Sequence, residues 1–415
     1  MITKKLSLIA AALLFAAIPS FAKNDDQTDF SGKYRRSSLC SFLVSRTDQK
    51  LHDKIEEKYL EIPTPDQYND HDLSVRILSV PEKGTKRNDI ESFLERNGVA
   101  SRIVAKWFDR NQIDGKCDMD LIKSRGLYNS SELDRELAGR TTRGLAMLED
   151  AGEELIGNTF VLVHEASYID HAQRSKNVAT GLRIFGAIMG AVAGAYGGSD
   201  LGNSISDLGN SVADMAETFK GFRVKFHTSL YQLQWDEETA GTFYKEMYAA
   251  QGDEAKKKAF ENHRDLFKLK YIGDVTSGGS KVSFLGISEE KPEIMVRKAC
   301  QRAIDDNVRD LQKNFEVFRV KSPISKVLGN EVEVAIGMKE GVNADSVYEI
   351  LEPQEENGKT KYKKVGTIKP VNGKIMDNRY MAAEEGAVGS DLHFSTFKIT
   401  SGHDIVPGML VRQVK

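Results

Sequence analysis

The chain has 415 residues, and its 58 lysines and arginines against 61 aspartates and glutamates give a formal net charge of −3. This balance argues against a nucleic-acid partner, which requires a strongly basic surface. With 40% hydrophobic and 29% charged residues, the composition is that of a folded protein rather than a disordered one. The length suffices for two or three domains.

The first 22 residues predict a cleavable export signal. Lys4 and Lys5 supply the positive start, an apolar stretch covers residues 6–18, and residues 20–22 (Ser-Phe-Ala) place small side chains where signal peptidase needs them. The apolar stretch is shorter than the ~20 residues of a membrane-spanning helix. We expect cleavage after Ala22 and a mature protein in the periplasm or at the periphery of the outer membrane.

Residues 23–322 alternate between predicted strands and helices. The strands fall at 35–44, 73–77, 159–169, 221–236, 266–277 and 316–325, and the helices at 47–60, 88–109, 131–155, 238–263 and 293–314. The strands are long and amphipathic, unlike the short apolar strands of a doubly wound sheet. We therefore predict an α+β domain with a mainly antiparallel sheet.

Three cysteines are present: Cys40, Cys117 and Cys300. An exported protein can hold a disulfide, but three cysteines leave at least one thiol unpaired. Whether two of them form a disulfide stays open. Cys40 lies in a predicted strand and Cys300 on a predicted helix. Cysteine in such places packs as a small apolar side chain, which is the interpretation we favour.

From residue 323 onward, short strands alternate with turns. Strand-like segments at 332–336, 346–351, 363–368 and 409–414 are separated by the pairs Asn357-Gly358, Asn372-Gly373, Ser401-Gly402 and Pro407-Gly408. This density of short strands and glycine turns is typical of a small barrel or sandwich. Pro323 favours an extended linker before it. We place the boundary of an all-β domain, 323–415, at this proline.

Three segments of this region resemble a known family. GMKEGVNADSVYEIL (337–351), KVGTIKPV (364–371) and DIVPGMLVRQVK (404–415) are similar to the SH3-like C-terminal domain of flagellar assembly protein T. The matching positions are Gly337, Gly341, Val347, Tyr348, Gly366, Ile368, Ile405, Gly408 and Val411, whereas residues 342–345 replace a tighter turn. The resemblance implies an SH3-like barrel in the cell envelope. The segments 125–134 and 150–163 also resemble uncharacterised exported proteins of Bacteroidota.

Residues 172–220 predict an inserted helical hairpin. Four glycines at i+4 steps form a glycine zipper, which lets another backbone approach one helix face: Gly186, Gly190, Gly194 and Gly198. A duplicated heptad then spaces apolar residues as in a packed helical seam: Leu201, Ile205, Leu208, Val212, Met215 and Phe219. The glycine face could pack within the chain, join copies of the chain, or associate with a membrane through 178–220. The uncharged run 184–199 is short for a full span.

Three segments rich in acidic residues, two of them with histidines, invite a metal or catalytic interpretation. HEASYIDH (164–171) lacks the H-E-x-x-H spacing and reads as a strand, so we expect its residues to face water at an edge or in a loop. An Asx turn before a strand explains residues 69–72. The carboxylates of 109–120 miss the EF-hand register, so a turn between helices is preferred. We predict no metal, no cofactor and no catalytic residue.

These features favour the function of a non-enzymatic envelope protein with a scaffolding or assembly-accessory role. Its partners would be envelope proteins, including a second copy of itself. Two alternatives stay open: a glycine-zipper oligomer acting at or in a membrane, and a periplasmic hydrolase whose catalytic groups come together only in space.

Overall fold

A computed structural model of the chain describes residues 37–46, 52–79, 87–129, 154–170, 221–277, 282–283, 292–356 and 359–414. All of these belong to one compact unit. The predicted export signal, the helical hairpin 172–220 and nearly all of the predicted helix 131–155 lie outside the described residues.

The first sheet has seven strands: β1 (Ser37–Val44), β2 (Tyr68–Asp70), β3 (Ile77–Leu78), β4 (Thr159–Asp170), β5 (Gly221–Leu233), β6 (Leu269–Thr276) and β7 (Val282–Ser283). The order is β2-β1-β4-β5-β6, with β3 paired to β1 and β7 to β5. β1 runs parallel to β2, β3 and β4, whereas β5 runs antiparallel to β4, β6 and β7. The predicted α+β class is confirmed, but the sequence analysis did not foresee the parallel pairings of β1. They arise because helices connect β1 to its partners, and a parallel pair needs such a crossover.

Helices cover both faces of this sheet. One face carries α1 (His52–Leu60) and α7 (Pro292–Asn314), and the other carries α2 (Arg87–Arg96), α3 (Val99–Trp107), α4 (Asp120–Asn129), α5 (Glu237–Glu246) and α6 (Glu254–Asn262). Alternate residues of a strand point to opposite faces. Accordingly Leu39 and Leu43 of β1 pack towards α1 and α7, whereas Phe42 and Val44 pack towards α3. We call β1–β7 and these seven helices the layered part.

Two predicted helices are each divided in two. The helix predicted at 88–109 breaks between α2 and α3 at Gly98, whose φ of 57° lies in the left-handed region that favours glycine. The helical stretch predicted at 238–263 breaks because α5 and α6 have separate N-caps. The Asp236 carboxylate accepts from the Thr239 amide, and the Asp253 carboxylate accepts from Ala255 and Lys256.

The three cysteines are buried and free. Burial raises the pKa of the Cys40 and Cys300 thiols to about 12, so neither is a thiolate at neutral pH. All three pack among apolar side chains of the layered part, as predicted for Cys40 and Cys300.

The C-terminal unit, residues 322–414, contains β8 (Ser322–Leu328), β9 (Glu331–Val334), β10 (Tyr348–Glu356), β11 (Lys359–Pro370), β12 (Ser395–Ser401) and β13 (Leu410–Gln413). Its pairings run β10-β11-β12-β9-β8-β13 and return from β13 to β10, and all are antiparallel. A separate apolar core, including Val332, Ile350, Ile368 and Phe397, fills the space between these strands. The strand predicted at 316–325 is instead a 3₁₀ turn (Glu316–Phe318) followed by β8.

The separate core leads to a testable prediction for the domain boundary. A fragment of residues 323–415 should fold alone, because its apolar cluster is complete without α7. Its amide spectrum should be dispersed, and its far-UV circular dichroism should be that of an all-β protein. A collapsed amide spectrum would place the boundary elsewhere.

Candidate functional site

His164, the most suggestive predicted residue, lies inside the molecule. It sits on the central strand β4 and is fully buried, so the expectation of an edge or loop position facing water is wrong. Its Nδ1 lies 2.8 Å from the Thr228 hydroxyl, and its Nε2 lies 3.0 Å from the Ser41 hydroxyl. Burial, helped by the positive charge of Arg76, lowers the pKa of His164 to about 3. The ring is therefore neutral, and both nitrogens are used within the core.

A polar network surrounds this histidine. Asn307 of α7 donates from Nδ2 to the Thr228 hydroxyl at 2.6 Å and to the Phe226 carbonyl at 2.8 Å. On the other side, the Ser41 and Tyr59 hydroxyls lie 2.8 Å apart. Sequence analysis missed the network because its members come from β1, α1, β4, β5 and α7, which are distant along the chain. Buried polar groups need such partners, so the network ties α7 to the sheet.

The predicted Asx turn at residues 69–72 is present, and it holds a second buried histidine. The Asp72 amide donates to the Asp70 carboxylate at 3.1 Å. The ring of His71 lies between the Ile103 carbonyl, 3.0 Å from Nε2, and the Arg125 guanidinium, 2.9 Å from Nδ1. Burial and the charge of Arg125 lower the pKa of His71 to about 3. This side chain also has a structural role.

The acidic segment 109–120 folds as the predicted turn between helices. Its side chains bind their own backbone: Asn111 accepts from the Ile113 amide, Asp114 from Lys116 and Asp118 from Asp120. Such Asx turns account for the composition without a metal. Among the described residues, no group of three or more histidine, cysteine, aspartate or glutamate side chains is arranged to hold a metal ion.

The four zipper glycines and the six seam residues fall within 172–220, outside the described residues. The structure does show where this segment leaves and re-enters the sheet. Asp170 of β4 pairs with Phe222 of β5, so its two ends lie side by side at one end of a long antiparallel pair.

The junction between α7 and the C-terminal unit is the best-defined polar site in the part of the chain that the structure describes. Residues 296, 299, 300, 303, 304 and 308 of α7 face the sheet core. Polar residues occupy the opposite stripe and meet the C-terminal unit. The Lys298 ammonium, 1% exposed, lies 2.5 Å from the Glu385 carboxylate, and the Arg302 guanidinium lies 2.6 Å from its other oxygen. Arg302 also donates to the Tyr380 carbonyl at 2.8 Å.

A second set of contacts joins the segment before β2 to the turn before β10. Gln67, 2% exposed, donates from Nε2 to Glu340 Oε1 at 2.9 Å. The other Glu340 oxygen accepts from the Gly337 amide at 2.7 Å and from Asn378 Nδ2 at 2.8 Å. Next to this contact, Gly341 has a φ of 86°, and a Cβ there would come within 2.7 Å of the Arg309 side chain of α7. A left-handed glycine therefore allows the turn to approach the helix.

A cleft of about 300 Å³ opens beside these contacts. We call it the junction cleft. Its floor is the i, i+4, i+8 stripe of α7 formed by Arg297, Gln301 and Asp305. Residues 63–66 form one wall, and Lys339, Asn378 and Tyr380 of the C-terminal unit form the other.

The junction cleft contains a carboxyl group, that of Asp305, whose pKa is shifted from its ordinary value. Burial raises the pKa of Asp305 to about 7, and the nearby Lys339 ammonium only partly opposes this effect. The negative charges of Glu340, Asp306 and Asp66 raise the same pKa further. Near neutral pH, Asp305 is present in both protonation states.

A larger cleft of about 910 Å³ lies between the α2–α3 turn and residues 264–271. Its charged residues Glu95, Arg96, Arg264, Asp265 and Lys268 are exposed, and Glu91 is half-buried. Water can solvate the exposed side chains, whereas the buried Tyr231 hydroxyl in the same cleft has no hydrogen-bond partner.

No protein-family model and no curated protein matches the chain. No helix in the described ranges is long and apolar enough to cross a membrane.

Sequence analysis gave no indication of the junction cleft. Its residues come from three distant segments, and none forms a recognised motif. The available signal was the polar stripe of α7, in which Arg297, Gln301 and Asp305 recur every four residues along one side of the apolar stripe. A helix with a buried apolar face and a regular polar face indicates a second contact on the polar side.

Proposed function

We propose that this chain is a non-enzymatic protein of the cell envelope that scaffolds or assists the assembly of other envelope proteins. The observation that supports this proposal is the junction, where the buried Lys298 and the half-buried Arg302 meet Glu385, and Gln67 meets Glu340. These contacts hold the layered part and the C-terminal unit in one arrangement. A scaffold needs such an arrangement, because partners bound to its two parts must be kept at a set distance.

The C-terminal unit is proposed to be an SH3-like barrel. Support comes from the ring of six antiparallel pairings and from turns at Gly341 and Gly408, whose φ values of 86° and 89° need glycine. These two glycines are among the positions that resemble flagellar assembly protein T. The predicted export signal supports the envelope location, and the acidic balance supports protein rather than nucleic-acid partners.

A second candidate function is self-association or membrane contact through the glycine-zipper segment. The observation that favours it is the pairing of Asp170 with Phe222, because adjacent ends are what an inserted helical hairpin requires. Such a hairpin would project from the end of the β4–β5 pair.

The zipper can be tested by substitution. Gly190→Leu and Gly194→Leu should each destabilise the protein by about 1–3 kcal/mol if the glycine face is packed within the chain. If the glycine face joins copies of the chain, these variants should stay folded but no longer form the oligomer. If the face contacts a membrane, the variants should no longer be found in the membrane fraction. Ala187→Leu and Ala191→Leu lie off the glycine face and serve as controls. Glycine variants that match wild type in stability, size and partitioning would show that this face contacts nothing.

The scaffolding proposal is tested by the native state of the protein in its envelope. We expect the tagged chain, released with mild detergent, to migrate in a complex heavier than the monomer and to contain other proteins in a fixed ratio. Its N-terminus, read by mass spectrometry, should be Lys23. A free monomer that retains residues 1–22 would contradict both the role and the location.

A further inference from the structure

The junction cleft contains buried polar atoms that the protein leaves without hydrogen-bond partners. Gln301, 7% exposed, has no partner for Oε1, and Arg297 has none for Nε. Buried polar groups in folded proteins are nearly always satisfied. Both residues line the same cleft, so a molecule bound there is placed beside the side chains that lack these hydrogen bonds.

The charges of the cleft favour a neutral occupant. The Arg297 guanidinium lies 3.4 Å from the Glu61 carboxylate, and the Lys339 ammonium lies 3.5 Å from the Asp66 carboxylate. Each cation already has a counter-charge, so a strongly anionic or cationic ligand would displace an existing ion pair.

The hydrogen-bonding pattern requires a ligand that both donates and accepts. Gln301 Oε1 and the ionised Asp305 carboxylate can only accept, whereas Arg297 Nε can only donate. A hydroxyl group does both from one atom. The ring of Tyr380, whose centroid lies 5.7 Å from the Arg297 guanidinium, adds an apolar surface on the same side.

We propose that the junction cleft binds a neutral saccharide, a mono- or disaccharide unit, through hydroxyl contacts to Arg297, Gln301 and Asp305 and through the face of Tyr380. Sugar rings combine hydroxyls at their edges with an apolar C–H face, which is the chemistry this cleft offers. The cleft volume of about 300 Å³ lies at the small end of ligand pockets.

A peptide fits the same cleft less well. Peptides in grooves commonly gain affinity from main-chain hydrogen bonds. One wall of the cleft contains Pro63 and Pro65, which have no N–H to donate. The saccharide site does not rest on the scaffolding proposal, because the ion pairs at Glu385 remain in place whether or not the cleft is filled.

Saccharide binding should depend on pH through Asp305. The charged groups facing it are Lys339 and Glu340 from the C-terminal unit, Asp306 from α7 and Asp66 from the opposite wall. An ionised carboxylate accepts stronger hydrogen bonds than a neutral one. Affinity should therefore rise as the pH increases through about 7, and Asp305→Asn should flatten this dependence.

Calorimetric titration of the mature protein with N,N′-diacetylchitobiose, maltose and trialanine tests the site. We expect saturable binding of at least one disaccharide, weakened roughly tenfold or more by Gln301→Leu, which corresponds to the loss of one good hydrogen bond. Tyr380→Leu should also weaken it. Gln234→Leu, at an exposed glutamine outside the cleft, should leave it unchanged. Thermal melts of every variant report folding. No binding of either disaccharide, binding of trialanine instead, or disaccharide binding that folded Gln301→Leu and Tyr380→Leu both retain would overturn the proposal.

Discussion

The free energy of unfolding should fall when the pH is lowered from 7 to 5, because His71 and His164 are buried as neutral rings. Each has a folded-state pKa of about 3 against an ordinary value of 6.5. Between these values the unfolded chain binds a proton that the folded chain does not. The stability is therefore present above pH 6.5 and is lost as the pH falls towards 3. Between pH 7 and pH 5, each buried histidine should lower the free energy of unfolding by about 2 kcal/mol.

Asp305 acts in the opposite direction. Its pKa is raised from 3.8 to about 7, so the folded chain retains a proton that the unfolded chain releases. Its contribution is present below pH 3.8 and is lost as the pH rises through 7. Between pH 5 and 7, the effect of Asp305 on the free energy of unfolding offsets the effect of about one of the two histidines. The net expectation is a loss of about 2 kcal/mol between pH 7 and pH 5, or roughly 1 kcal/mol per pH unit on acidification.

Urea denaturation at pH 5, 6 and 7 measures these effects. His164→Gln, which keeps one donor and one acceptor for Ser41 and Thr228, should reduce the pH dependence, and Asp305→Asn should increase it. His227→Gln is the matched control, because His227 lies on β5 but is 39% exposed. An unchanged pH dependence in His164→Gln would mean that this ring is protonated in the folded protein.

Glu385→Gln should destabilise the protein by about 2–3 kcal/mol. The substitution takes the carboxylate away from Lys298, which is 1% exposed, and from Arg302. Breaking a fully buried ion pair typically costs 3–5 kcal/mol. The expected loss is smaller because the Glu385 side chain is 37% exposed, so water can partly replace the carboxylate.

A double-mutant cycle separates the interaction energy of the Lys298–Glu385 pair from other effects of the substitutions on stability. Lys298→Met combined with Glu385→Gln should recover part of the loss, because the double substitution removes the buried Lys298 ammonium together with its carboxylate partner. Glu333→Gln breaks the Lys326–Glu333 pair, whose atoms lie 3.9 Å apart and whose lysine is 64% exposed, and should change stability by less than about 1 kcal/mol. If Glu385→Gln and Glu333→Gln lower the stability equally, the junction contributes little to the stability of the protein.

The parts of the fold that were predictable from the sequence are those set by local pattern. The periodicity of α7 and the alternation of β4 and β5 identify these elements, and the glycine pairs mark the turns of the C-terminal unit. Residues 73–77 were misjudged because the Asp72 carboxylate accepts from the Ser74 amide at 3.0 Å and Ser74 has a φ of 63°. This turn leaves only a two-residue strand, β3.

The candidate site was not predictable, because it depends on packing between distant elements. Nothing near Gln301 in the sequence indicates that this residue lines one cleft with residues 63–66 and Tyr380. His164 was misjudged for a related reason. Its partners Ser41 and Thr228 lie on neighbouring strands, and only the strand order β1-β4-β5 brings them to hydrogen-bonding distance.

Cross-linking in intact envelopes tests whether the two parts of the molecule hold envelope proteins together. Lys270 on β6 and Lys398 on β12 are exposed reporters, one on each part. The account predicts that amine-reactive cross-links from both lysines lead to other envelope proteins, and that Glu385→Gln, under conditions where it remains folded, changes the pattern. Cross-links confined to the chain itself, in a protein that fractionates with the envelope, would contradict the scaffolding role.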